Sequence, residues 1–180
     1  IKGNRDIKFS TVRYGNVMGS RGSVIPLFIK QAQKGEITIT DIEMTRFMIT
    51  IEEAINFVCE SIDLMIGGEI FVKKIPSMKV KDIANTIAPN AKIKIIGKRP
   101  GEKMHEQMIG LEDANHTYEM SNSFVILPEI ENISKFNQLI KNAVKVKNNF
   151  SYNSSTNNIF MTQEELSKWI DKNSDSLSNN

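Results

Sequence analysis

Apolar and polar residues alternate from Ile7 to Val12 (Ile-Lys-Phe-Ser-Thr-Val), which predicts a strand. A glycine-rich loop follows, with Gly15, Gly19 and Gly22. The pattern then changes period. Val24 to Lys34 predicts a helix, with Pro26 tolerated in its first turn and Gly35 ending it. Ile37 to Thr40 predicts a short strand. Ile51 to Met65 carries the clearest helical signal: Thr50 with Glu53 makes a capping box, and Ala54, Phe57, Val58, Ile62 and Met65 share one face. Gly67 and Gly68 stop that helix before a strand at Glu69 to Val72. Val80 to Ala88 predicts a helix ended by Pro89, and Lys92 to Ile96 a strand leading into Arg99-Pro100-Gly101-Glu102.

Beyond Asn115 the pattern weakens. Phe124 to Leu127 predicts a strand, Lys135 to Val146 is ambiguous, and Asn148 to Asn158 reads as a loop or extended tail. Thr162 with Glu165 caps a last short helix ending near Ile170, and the final Ser, Asn and Asp residues are expected to be disordered. Alternating strands and helices indicate an α/β fold.

Composition narrows the class. The 180 residues suffice for one sizeable core or one lobe of a larger protein. The chain opens on Ile1 and a polar turn, Lys2-Gly3-Asn4-Arg5-Asp6, so it is expected to be the C-terminal portion of a longer polypeptide. The 23 basic and 21 acidic residues are well mixed, which argues against nucleic acid as a partner. Cys59 is the one cysteine, so neither an internal disulfide nor a CxxC metal knuckle forms. His105 and His116 lack a second ligand at helical spacing, so no metal site is expected, and His105 reads as a polar wall residue. No apolar run approaches the ~20 residues that cross a bilayer, and the opening is not a signal peptide, so a cytoplasmic protein without membrane partners is expected.

Three polar clusters carry the candidate chemistry: Arg13-Tyr14-Gly15-Asn16, Thr45-Arg46-Phe47 and Arg99-Pro100-Gly101-Glu102-Lys103. Guanidinium forks suit phosphate oxygens and a carboxylate suits sugar hydroxyls, so together these residues suggest a nucleotide-sugar site. Arg13 and Asn16 follow a predicted strand, where ligands of open α/β sheets bind, although Asn16 also suits an ordinary turn. Arg46 fits either a phosphate site or a surface ion-pair cluster with Asp41 and Glu43. Pro100 and Gly101 stiffen and bend the turn that presents Arg99 and Glu102. Met44, Met48, Met65, Met104 and Met108 read as core packing.

The stretches from Val12 to Val24, Met44 to Thr50, Gly68 to Val72 and Arg99 to Glu106 closely resemble one family. It is the NADP-dependent inverting UDP-N-acetylglucosamine 4,6-dehydratases, extended short-chain dehydrogenases of pseudaminic acid biosynthesis. The resemblance implies the end of a Rossmann-type parallel sheet at 1–36, a nucleotide-sugar domain at 37–147 and a polar extension at 148–180. It implies that Asn16 binds the UDP-sugar and that the Val17 backbone faces the nicotinamide of NADP. Ile25 and Thr40 would line the uridine and sugar pocket, Arg46 and Arg99 would hold the diphosphate, and Glu102 would bind ribose hydroxyls. The family's glycine-rich dinucleotide loop and Tyr-x-x-x-Lys pair are absent here: Met18 follows Tyr14 at that spacing, and Asn122 follows Tyr118. No catalytic residue is therefore expected in this chain, and it is expected to be inactive alone. The implied reaction takes hydride from sugar C4, loses water across C5 and C6, and returns hydride to C6 with inversion at C5. A homo-oligomer is implied for the full-length enzyme. A retaining dehydratase or a UDP-sugar 4-epimerase of the same fold, and a non-catalytic nucleotide-sugar binding module, are the alternatives.

Overall fold

The computed structural model describes residues 6–129 and 132–178, so most of the expected opening turn (Lys2, Gly3, Asn4, Arg5) lies outside the described residues. The first elements are β1 (Thr11–Arg13), β2 (Asn16–Val17), α1 (Val24–Ala32), β3 (Glu36–Ile39), β4 (Thr45–Ile49) and α2 (Ile51–Leu64). Next come β5 (Ile70–Lys73), β6 (Ser77–Lys79), α3 (Val80–Ile87), β7 (Lys92–Ile95), β8 (Gln107–Ile109), β9 (Thr117–Glu119) and β10 (Ser123–Ile126). They are followed by β11 (Val144–Lys145), β12 (Tyr152–Asn153), α4 (Gln163–Lys172) and α5 (Ser174–Ser178). The chain forms two units whose segments interleave: residues up to Tyr14, 52–74 and 107–152 make one, and 15–51, 75–106 and 153 onward make the other.

The first unit is built on a sheet of order β1-β5-β10-β9-β11. β1 runs parallel to β5, while β10 is antiparallel to both β5 and β9. Phe57 of α2 packs with Phe71, Val125, Leu127 and Phe136 into this unit's core. The expected first strand is shorter than its alternation implied. Gly68 N–H donates to Phe9 O (2.7 Å), but β5 begins only at Ile70, so the ladder starts at Thr11 and leaves Ile7 and Phe9 exposed. The apolar face of α2 is also narrower than expected. Ile62 is 60% exposed while Ser61 is buried, because 100° per residue places Ile62 roughly 80° from Ala54 around the helix. Ser61 satisfies itself by donating to Phe57 O (2.7 Å). Glu69 is buried as well, accepting from Ser10 Oγ and from the Ile66 and Gly67 N–H groups just past the end of α2.

The second unit combines a sheet of order β2-β4-β6 with the parallel pair β3-β7. β2 is parallel to β4 with Asn16 opposite Met48, and β4 is antiparallel to β6 with Arg46 opposite Met78. Ile25 and Phe28 of α1, Ile37 and Ile39 of β3, Ile83 of α3 and Leu166 of α4 are buried in one cluster. Met44, Met48 and Met78 join them, and Met104 packs on the outside, as expected for methionines that fill a core. Gly15 has a packing role here: a Cβ on it would collide with Phe47 and Ile75, so the chain entering β2 can lie against β4 only without a side chain.

The polar stretch from Asn153 onward is ordered into this unit. Met161 N–H donates to Ser77 O (2.8 Å), Ser77 N–H to Ile159 O (2.9 Å), and the Asn157 amide nitrogen to Ile75 O and Ser77 Oγ. Its asparagines and serines satisfy buried backbone groups, which is why polarity there did not mean solvent. The predicted capping box of Thr162 and Glu165 opens α4. The expected disordered end instead forms α5, anchored by buried Leu177, up to Ser178; Asn179 and Asn180 lie outside the described residues.

Candidate functional site

Four of the expected site residues line one cavity of about 290 Å³ in the second unit: Thr40, Arg46, Arg99 and Glu102. Thr40 stands just past the carboxyl end of β3, and Arg99 and Glu102 come from the turn after β7, its parallel partner. The turn is closed locally. Gly101 has φ of 80°, Glu102 N–H donates to Arg99 O (3.0 Å), and Arg99 N–H donates to Glu102 Oε2 (3.2 Å). Thr40 Oγ1 donates to Glu102 Oε1 (3.1 Å) and pins the turn to β3. The Arg99 side chain is exposed and its guanidinium meets no partner among the described residues, so the fork faces solvent ready for an anion.

The other expected residues, Asn16, Val17 and Ile25, line a second cavity of about 240 Å³ with Met18 and Met48. Arg46 lines both cavities and links them. Its fork is already engaged by neighbouring groups. Nη1 donates to Thr45 O (2.8 Å) and Met104 O (3.2 Å), and Nη2 points at Met44 Sδ (3.1 Å). Nor does Arg46 join an Asp41–Glu43 cluster, because Glu43 pairs with Lys79 (2.9 Å) and Asp41 accepts from Glu43 N–H. Its acidic neighbour is Glu106, with Nε 3.8 Å from Oε1. Arg13, in the other unit, donates to Met108 O (2.9 Å) and Asp113 Oδ2 (3.0 Å), which is a structural role.

Glu106 was not among the expected site residues. Its Oε2 accepts from Phe47 N–H (2.9 Å). With the Asn16 amide nitrogen turned toward it, Asn16 donates to Oε1 (2.7 Å) and Oε2 (3.0 Å). Burial pushes the Glu106 carboxyl above the ordinary value of 4.5, against the lowering pull of Phe47 N–H, Arg46 and Lys103. Behind it, Ser154 Oγ accepts from Glu106 N–H (2.8 Å) and lies 2.7 Å from Thr45 Oγ1, which lies 2.8 Å from His105 Nδ1. His105 is thus a wall residue of a polar network. The signal for this network was the placement of His105-Glu106 just after the Arg99 turn, but only β4 pairing shows what they face.

A larger cavity of about 490 Å³ beside α1, lined by Gly22, Pro26, Leu27 and Lys30 among others, contains none of the expected residues. Among the described residues, no three His, Cys, Asp or Glu side chains gather as a metal site would need, and no helix is long and apolar enough to cross a membrane.

The sequence model of the family described as "Polysaccharide biosynthesis protein" matches residues 1–128. The chain belongs to this family. Among curated relatives, it is 47% identical over 173 residues to a Campylobacter jejuni protein named UDP-N-acetylglucosamine 4,6-dehydratase (inverting), covering 92% of this chain and 52% of that protein. It is 43% identical over 106 residues to the UDP-glucose 4-epimerase of Rickettsia canadensis, covering 56% of this chain and 31% of the epimerase. The chain spans about half the length of the dehydratase relatives it matches. Among solved structures, the X-ray structure of Pen from Bacillus thuringiensis superposes with a TM-score of 0.81 at 35% identity, over 96% of this chain and 52% of that one. The family member described here has the α/β fold of an extended short-chain dehydrogenase portion, with parallel pairs β1-β5, β2-β4 and β3-β7.

Proposed function

We propose that this chain is the nucleotide-sugar-binding portion of a UDP-N-acetylglucosamine 4,6-dehydratase of the inverting type, acting in surface-polysaccharide or flagellin-glycan synthesis. The observation that carries the reading is the convergence of Thr40, Arg46, Arg99 and Glu102 on one cavity in a chain 47% identical to such an enzyme. Arg99 would take diphosphate oxygens on its free fork, and the remaining Nη2 hydrogen of Arg46 would add a second donor. Glu102 keeps acceptor capacity beyond its bond from Thr40 and would receive ribose hydroxyls. Asn16 and Ile25 would meet the sugar and uridine from the adjoining cavity.

The cofactor assigned to this reading is NADP, which when bound supplies the hydride acceptor and donor. The residues present fit only one edge of a nicotinamide: Val17, beside Met18 and Met48, offers an apolar wall. No glycine-rich dinucleotide fingerprint and no Tyr-x-x-x-Lys pair occurs in this sequence, so this chain's own part is to bind and orient the sugar nucleotide. The epimerase similarity favours a second reading, a UDP-sugar 4-epimerase, over a shorter stretch of the chain. Titration with UDP-N-acetylglucosamine, UDP-glucose and GDP-mannose tests the proposal. Tightest binding of the first supports it, preference for UDP-glucose favours the epimerase, and indifference to the base contradicts both.

A further inference from the structure

We propose that Glu106 is a positioning residue for the nucleotide-sugar site: its carboxylate holds Asn16 and Arg46, the two side chains that bring polar groups from β2 and β4 to the cavity walls. The inference rests on the reading above and extends it to a residue that lines neither cavity.

Three donors converge on this one carboxylate. Phe47 N–H (2.9 Å) fixes Oε2 to the backbone of β4, the Asn16 amide nitrogen reaches both oxygens (2.7 and 3.0 Å), and Arg46 Nε stands 3.8 Å from Oε1. Every group facing it is a donor, so an anion satisfies the site and an amide in its place would set its own N–H against one of them. The carboxylate is itself held from behind. Glu106 N–H donates to Ser154 Oγ (2.8 Å), and Ser154 is fully buried, with its hydroxyl 2.7 Å from that of buried Thr45.

The arrangement explains why Arg46 spends Nη1 on two carbonyls. Those bonds and Glu106 fix the guanidinium plane, so that the remaining Nη2 hydrogen can address only one place. The opposite role is equally specific: if Glu106 merely neutralised Arg46, its removal would tighten anion binding.

A double-mutant cycle with UDP and uridine as probes tests this by calorimetry on the 180-residue chain. Glu106→Ala should weaken UDP binding roughly tenfold, about the worth of one charged hydrogen bond, while uridine binding changes less than about twofold. In an Arg46→Ala background the Glu106→Ala effect on UDP should shrink below about twofold. Glu106→Gln keeps the side-chain volume and should also lose UDP affinity, which keeps the test usable if the alanine variant does not fold. Unchanged or tighter UDP binding in a folded variant, equal losses for UDP and uridine, or additive losses in the double variant would overturn the inference. Failure of the wild type to bind UDP would remove the proposed function and this inference together, whereas UDP binding with additive losses removes only this inference.

Discussion

Thr40 Oγ1 and Glu102 Oε1 lie 3.1 Å apart and join the end of β3 to a turn far along the chain. The bond holds one oxygen of Glu102 while the other accepts Arg99 N–H, so a single carboxylate sets the shape of the turn that displays the free guanidinium.

Thr40→Val should therefore loosen the Arg99 turn without emptying the core. A partly buried hydrogen bond contributes about 0.5–1.5 kcal/mol, so UDP affinity should fall by about two- to tenfold. Titration of UDP into the variant checks this. Wild-type affinity would show that the turn holds its shape without Thr40.

Gly15→Ala should destabilise the second unit, since the added carbon collides with Phe47 Cβ, next to the backbone of β4, and with the end of the Ile75 side chain. Overpacking of this kind costs about 1–3 kcal/mol, which a urea unfolding midpoint resolves. A midpoint equal to the wild type's would mean that the segment entering β2 can shift away from β4.

Much of this fold was legible because local rules and tertiary contacts agree. The helices over Val24–Ala32 and Ile51–Leu64, and the capping box at Thr162, follow from period and end signals alone. What was not legible depends on partners distant in sequence. The start of β1 is decided by where β5 starts, and the ordering of Ser154 and Asn157 is decided by β4, β6 and Glu106. In the site, residue type announced Arg99 and Glu102, whereas Glu106 became visible only once β4 placed Phe47 N–H and Arg46 against it.

Glu106 also gives a pH prediction. Its carboxyl is held above 4.5 in the folded chain, mainly by burial. Between 4.5 and the raised value, the folded chain keeps a proton that the unfolded chain releases, so stability falls as pH rises through that window. Urea unfolding from pH 4 to 7 should show wild type losing stability relative to Glu106→Gln as pH rises. A difference that stays flat or grows in the wild type's favour would contradict it.

Glu165 should behave in the opposite sense. Hydrogen bonds from Thr162 N–H and Oγ1 hold its carboxyl below 4.5. The stability it contributes is present above 4.5 and is lost as pH falls through the lowered value. Thr162→Ala should reduce that acid-side loss along with the stability of α4, read by circular dichroism melts at pH 3 and pH 6. An unchanged acid sensitivity would assign the effect to another carboxylate.

The most direct measurement is calorimetric titration of UDP into wild type, Arg99→Lys and Arg99→Ala. A free guanidinium fork that binds diphosphate contributes about 1.5–3 kcal/mol, so Arg99→Ala should bind UDP about ten- to a hundredfold more weakly, with Arg99→Lys between. Equal affinities for UDP in a folded Arg99→Ala variant would mean that the turn is structural and that the nucleotide sugar is held elsewhere.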